Sequence, residues 1–222
     1  MTHAARIGKK RWRTWLLVLL VAAAIAVAAW WLFLRPDIIY RGPPIPVGAG
    51  TVAERELVLM ESTPGEDQFD FLRRVGRVLA DHSDRTSHEA CGLVCQNRDS
   101  SRFAVQVVTN DAHIMCAMWT TCPDGYMHAG TNIHSHCPAK RVLRANAADM
   151  AMSGNRYKLG DRLKPCVDDR FSAMDFDAGP GYLATPRRLL SQTGRKQLAD
   201  LGPLPPDATP QRAVAVAEEA AP

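Results

Sequence analysis

His134-Ser135-His136 sets two imidazoles two residues apart. On an extended strand, residues i and i+2 project from the same face, so both rings can reach one metal ion. Further along, Ser172-Ala173-Met174-Asp175 offers a carboxylate as a third ligand. Two imidazole nitrogens and one carboxylate oxygen match the donor set of a catalytic zinc site, which leaves its fourth position to water. Glu89 opens the segment Glu89-Ala90-Cys91-Gly92-Leu93-Val94, an acid at the edge of a short apolar strand. Such an acid can take a proton from a metal-activated water and later pass it to a leaving amine. The Ser172 hydroxyl can donate to a developing oxyanion. Each group also has an ordinary role open to it: Glu89 as a solvated strand end, Ser172 as a helix cap with Asp175 in the first turn.

Other chemistries fit less well. A zinc deaminase needs His-x-Glu followed by Pro-Cys-x-x-Cys, whereas His88-Glu89 has the wrong spacing and the second element does not occur. Cys137 beside His136 is a poor nucleophile–base pair, because adjacent strand residues face opposite ways. No spacing recruits His82, His113 or His128 as further ligands.

The elements that must position these groups are readable in outline. Thr63, Pro64 and Glu66 have the spacing of a helix start, and Phe69, Leu72, Val75, Val78 and Leu79 follow on one face. Strands are expected over Ala90–Val94, Phe103–Val108, Ile114–Trp119 and Thr131–His136, with a return to the sheet over Tyr182–Leu190. A helix is expected from Lys140 to about Met152. Together these give a mixed α/β domain over residues 62–202, a mixed sheet flanked by helices. A linker is expected over 35–61, where Gly42-Pro43-Pro44-Ile45-Pro46 cannot be helical. A disordered Pro/Ala-rich tail is expected over 203–222.

The 222-residue chain carries a formal net charge of +4, unevenly spread. Without Arg6, Lys9, Lys10, Arg11 and Arg13, 22 Lys+Arg stand against 23 Asp+Glu, a net charge of −1. A near-neutral domain argues against nucleic acid as a partner. The basic cluster sits in residues 1–14, ahead of 20 residues from Trp15 to Leu34 that hold no charge, Gly or Pro. At about 1.5 Å per residue a helix of that length spans the hydrocarbon core of a bilayer. Trp12 and Trp15 at one end and Trp30 and Trp31 at the other suit the two interfaces. Residues 15–34 are expected to be a retained transmembrane helix rather than a cleaved signal peptide, with the basic N-terminus in the cytoplasm and the domain outside it. The six cysteines, Cys91, Cys95, Cys116, Cys122, Cys137 and Cys166, allow fifteen full pairings. Cys91 and Cys95 on one strand would lie about 13 Å apart, too far to pair with each other.

A glutamate before a short strand, then His-x-His, then Ser-x-x-Asp resembles the signature of the JAMM (JAB/MPN) zinc metallopeptidases. The phrases Glu89-Ala90-Cys91-Gly92-Leu93 and Phe171-Ser172-Ala173-Met174-Asp175, with Gly181-Tyr182-Leu183-Ala184-Thr185-Pro186 after them, resemble a bacterial branch of that clan over about residues 64–200. The resemblance implies a fold similar to cytidine deaminases, zinc on His134, His136 and Asp175, Glu89 as acid/base and Ser172 as oxyanion donor. The Ser-x-x-Asp spacing favours Asp175 over Asp177 as the ligand. The implied activity is hydrolysis of peptide or isopeptide bonds, here on a protein or cell-wall peptide outside the cytoplasm, with a prokaryotic inner membrane as the site of anchoring. The alternative is a membrane-tethered binding module of the same fold without activity. Two features depart from the family pattern: Cys137 precedes Pro138 after His-x-His, and 36 positions separate His136 from Ser172. The latter marks an insertion over 138–171, which a Cys137–Cys166 disulfide would close at its base.

Overall fold

The structure is a computed structural model that describes residues 18–24, 44–47, 50–119 and 121–206. The chain divides into two units, residues 1–39 and 40–222. In the first, residues 18–24 are helical. The rest of the expected 15–34 span lies outside the described residues, and among those no helix is long and apolar enough to cross a membrane.

The second unit is organised by a seven-stranded sheet. Its strands are β3 (Arg55–Glu61), β4 (Ala90–Asn97), β5 (Phe103–Thr109), β6 (Tyr126–Ser135), β7 (Gly181–Ala184), β8 (Arg188–Gln192) and β9 (Leu198–Pro203). They run in the spatial order β3-β5-β4-β6-β7-β8-β9. All neighbours are antiparallel except β6 and β7, which pair in parallel from Asn132 with Gly181 to Ser135 with Ala184. A parallel pair needs a long crossover, and residues 136–180 supply it. Strands β1 (Ile45–Val47) and β2 (Gly50–Val52) form a separate two-stranded hairpin.

Helix α1 (Gln68–Thr86) lies against one face of the sheet. Asp67, not Thr63, caps it: the Asp67 carboxylate accepts from the backbone N–H of Phe69 and Asp70 at 2.8 and 3.2 Å. Thr63 and Glu66 do make the expected contact, at 2.8 Å from Thr63 N to Glu66 Oε2. It closes a turn just before the helix, and Glu66 also pairs with Arg74. The chain leaves α1 through Ser87 in the left-handed region, φ 66°. Phe71, Leu72, Val75 and Leu79 are fully buried against Val94, Val105, Val107, Ile133 and Leu189. Phe69, expected on that face, is exposed. Gly92 allows β4 and β5 to approach closely, since a Cβ there would stand 2.5 Å from Val105 Cγ1 and 2.7 Å from the Gln106 carbonyl oxygen.

Several expectations need correcting. Residues 55–61 are not linker but edge strand β3, paired with β5 over its whole length. Leu57-Val58-Leu59-Met60 supplies the apolar strand side chains that the nearby prolines obscured. Ile114–Trp119 joins no ladder; the Cys91–Cys116 disulfide ties it to β4 instead, and Cys95–Cys122 ties the chain just after it. Lys140–Met152 is helical only over α2 (Ala147–Met152), which starts at a capping box between Asn146 and Asp149. Tyr182–Leu190 is two strands and a turn, and β9 carries the sheet one strand further. The expected flanking helices reduce to one long helix on one face and two short ones, α2 and α3 (Ala173–Asp177), within the crossover. The tail from residue 207 lies outside the described residues, while Leu204 just before it is buried in the core.

The third disulfide joins Cys137 to Cys166, so all six cysteines are paired. The three bonds close loops of 25, 27 and 29 residues, each worth about 3.5 kcal/mol in the chain-entropy account. Three disulfides mark a domain that matures in an oxidising compartment.

Candidate metal centre

Strand alternation decides which way β6 points its side chains. Ile133 enters the core under α1. Ser135 faces the same side, where its hydroxyl lies 2.6 Å from that of Ser83 and accepts from Ala90 N at 3.2 Å. His134 therefore faces the opposite side of the sheet. His136 follows directly past the strand end, and its ring centroid lies 5.1 Å from that of His134.

Helix α3 brings the carboxylate. Ser172 caps it, accepting from Asp175 N at 3.4 Å, while Asp175 Oδ2 accepts from Ser172 N at 2.5 Å. That reciprocal box is the ordinary role of a Ser-x-x-Asp segment. It also aims Asp175 at the histidines: Oδ1 lies 3.2 Å from His134 Nε2 and Oδ2 lies 3.3 Å from His136 Nε2. One donor atom from each of the three residues falls within 4.8 Å of the others. Asp177, the rival, is exposed, pairs with Arg195 at 3.4 Å and does not join the group of three.

The set fits a divalent cation on observations independent of spacing. His134 Nε2 is buried and makes no hydrogen bond, although Asp175 Oδ1 stands nearby. A buried polar atom without a partner is costly unless something else satisfies it. On His136, Nδ1–H donates to the Val167 carbonyl at 2.7 Å, which leaves Nε2, facing Asp175, as the nitrogen that can ligate once its proton is given up. A metal-ligating imidazole is normally fixed by such a bond from its other nitrogen.

The electrostatics are those of a site built for positive charge. Burial works against ionisation of Asp175, but the two imidazoles beside it outweigh burial and hold its carboxyl well below the usual carboxylate range. Burial also pulls His136 down, but Asp175, the charge of Glu89 and the Val167 carbonyl outweigh it and push His136 up to about 9. His134 goes the other way, lowered chiefly by burial. Glu89 sits immediately before β4, its backbone fixed by bonds to Ala112 and Thr109. Burial, with the charges of Asp175 and Asp149, outweighs His136 and raises its carboxyl to about 8.

Glu89, His134, His136, Ser172 and Asp175 all line one cavity of about 710 Å³. Ile114, Met115, Met118 and Met174 give it an apolar side, and Lys164 and Gln192 a polar one. His113 lines it too, and no sequence spacing had singled it out. Its Nδ1 lies 2.6 Å from the buried Asp149 Oδ2, and its backbone N–H donates to Asp149 Oδ1 at 2.7 Å. The Asn146-x-x-Asp149 capping box was the one available signal, since it fixes an acid in the interior. His82 is buried in α1, and His128 bonds the Thr131 carbonyl on an exposed part of β6. No family model, characterised protein or solved structure matches this chain.

Proposed function

We propose that the domain is a zinc-dependent hydrolase of peptide or isopeptide bonds, of the JAMM (JAB/MPN) type. Its substrate is a protein or cell-wall peptide outside the cytoplasm, and residues 15–34 anchor it as a single pass in a bacterial inner membrane. The observation that carries this reading is the convergence of His134, His136 and Asp175 on one point, with Glu89 in the same cavity. His134 Nε2, His136 Nε2 and an Asp175 oxygen would hold Zn2+. When bound there, the ion supplies Lewis acidity, polarising a carbonyl and lowering the pKa of a water.

The chain's own groups have defined tasks. Glu89 has a carboxyl poised at about 8, near neutral pH, which suits a group that both accepts and returns a proton. Ser172 spends its hydroxyl oxygen as an acceptor from Asp175 N, so its hydrogen is free to donate to a substrate carbonyl. Val167 and the Asp175 capping box orient the imidazole and the carboxylate before substrate arrives. The apolar wall of Met115, Met118 and Met174 gives side chains of a peptide somewhere to pack. Three disulfides agree with action outside the cytoplasm.

The test is a screen of the zinc-loaded full chain against periplasmic proteins and cell-wall peptides, read as new amine termini, with Glu89→Gln beside it. Cleavage that disappears in Glu89→Gln supports the hydrolase. A loaded protein that cleaves nothing, or a Glu89→Gln variant that cleaves as well, would leave a tethered binding module.

A further inference from the structure

The bond that orients His136 is bracketed by a disulfide. Cys137 follows His136 directly and Val167 follows Cys166 directly, so the Cys137–Cys166 bond joins the two chain segments one residue away from the Nδ1–H to Val167 carbonyl contact. Cys137 is fully buried two residues past the end of β6. Among the described residues, 164–168 enters no strand ladder. What ties that segment to the end of β6 is the disulfide, the His136 contact itself, and one bond from Ala139 N to Asp168 Oδ2 at 3.0 Å. A single part-buried hydrogen bond contributes about 1 kcal/mol, little against the freedom of a loop. The covalent bond is therefore the element able to keep the Val167 carbonyl at one place.

We propose that the Cys137–Cys166 disulfide is a positioning element of the metal centre, holding the Val167 carbonyl as the partner that fixes the His136 tautomer. This rests on the metal reading above. The other two disulfides do not flank this contact: Cys91–Cys116 joins β4 to the stretch after β5, and Cys95–Cys122 lies further along β4. Loss of the hydrogen-bond partner of a ligating histidine lowers metal affinity by roughly 10- to 100-fold. That range is the expectation for opening this disulfide. It makes assembly of the metal centre depend on the oxidising compartment in which the bond forms.

The experiment titrates the full chain in detergent with Co2+. Wild type is compared with Cys137→Ser/Cys166→Ser and with Cys95→Ser/Cys122→Ser as a disulfide control. Unfolding curves are taken for each, so that general loosening is seen separately. The expected result is about 10- to 100-fold weaker Co2+ binding in the first variant and a change under about twofold in the control. The Co2+-shifted imidazole N–H resonance of His136 should exchange slowly in wild type and broaden in the first variant. A glycine inserted between Cys166 and Val167 keeps the disulfide but displaces the carbonyl. It should weaken Co2+ binding similarly, and it serves if the serine pair does not fold. Unchanged Co2+ affinity in both the serine pair and the glycine insertion overturns the proposal, as does equal weakening in the control. A folded wild type that binds no Co2+ removes the metal reading itself, and this proposal with it.

Discussion

Replacing Glu89 by Gln should make the metal-free protein more stable at alkaline pH. Glu89 is 8 % exposed, and burial raises its carboxyl from 4.5 to about 8. Between those two values the folded protein holds a proton that the unfolded chain has released. Stability conferred by the neutral carboxyl is thus complete below 4.5 and is lost as pH rises through about 8. At about 1.4 kcal/mol for each tenfold change in proton affinity, the loss approaches about 5 kcal/mol. His136, raised to about 9, adds a loss of the same sign above 6.5, because its stabilising proton also leaves on alkalinisation. Gln cannot ionise, so the variant should keep the Glu89 share, and without the Glu89 charge beside it His136 also has less to give up. The assay is urea unfolding of metal-free wild type and Glu89→Gln at about pH 5 and about pH 8.5. The two should be close at the lower pH and diverge by several kcal/mol at the higher. Zinc should shrink the divergence, because a cation beside Glu89 favours its charged form. Parallel loss of stability in the two proteins would refute the placement of Glu89 as a buried acid beside the histidines.

Three further outcomes follow from named contacts. Because His136 must give up a proton to bind through Nε2, zinc affinity should rise close to tenfold per pH unit up to about 9, with about one proton released in calorimetry; a pH-independent affinity would contradict this. Gly92→Ala should destabilise the domain by about 1–3 kcal/mol, since the new methyl meets the Gln106 carbonyl oxygen at 2.7 Å and backbone must move; an unchanged melting temperature would contradict the close approach of β4 and β5. His82 is buried without a side-chain hydrogen bond, and burial lowers it from 6.5 to about 4. The unfolded chain therefore takes up the proton first, so stability present above 6.5 is lost as pH falls through about 4, and His82→Leu should flatten that acid limb in a thermal melt series.

What could be read from the chain depended on whether a feature was local. The His134/His136 pair was legible because strand alternation is a two-residue rule, and the structure adds only that His136 sits just past the strand end. Asp175 was legible because its capping role and its approach to the histidines use the same short Ser172–Asp175 segment. The separation of Cys91 from Cys95 followed from strand rise, and their partners Cys116 and Cys122 did not, since pairing is set by tertiary contact. Edge strand β3 was hidden because the nearby prolines made its apolar run read as linker, and its ladder with β5 is a long-range pairing. His113 was hidden for a similar reason. Its orientation depends on Asp149, 36 residues away, and on the crossover that brings the two together. The 138–171 segment read as an insertion closed by Cys137–Cys166, and that bond is present; the helix expected within it shrinks to Ala147–Met152.

The central claim is that His134, His136 and Asp175 form a zinc site, and zinc content tests it most directly. The full chain would be supplied with zinc, freed of excess and assayed for metal per chain beside His136→Ala and Asp175→Ala, with folding checked in each. The account predicts about one zinc per chain in wild type and loss of it in both variants. A folded wild type that retains no zinc, or variants that retain it in full, would contradict the account.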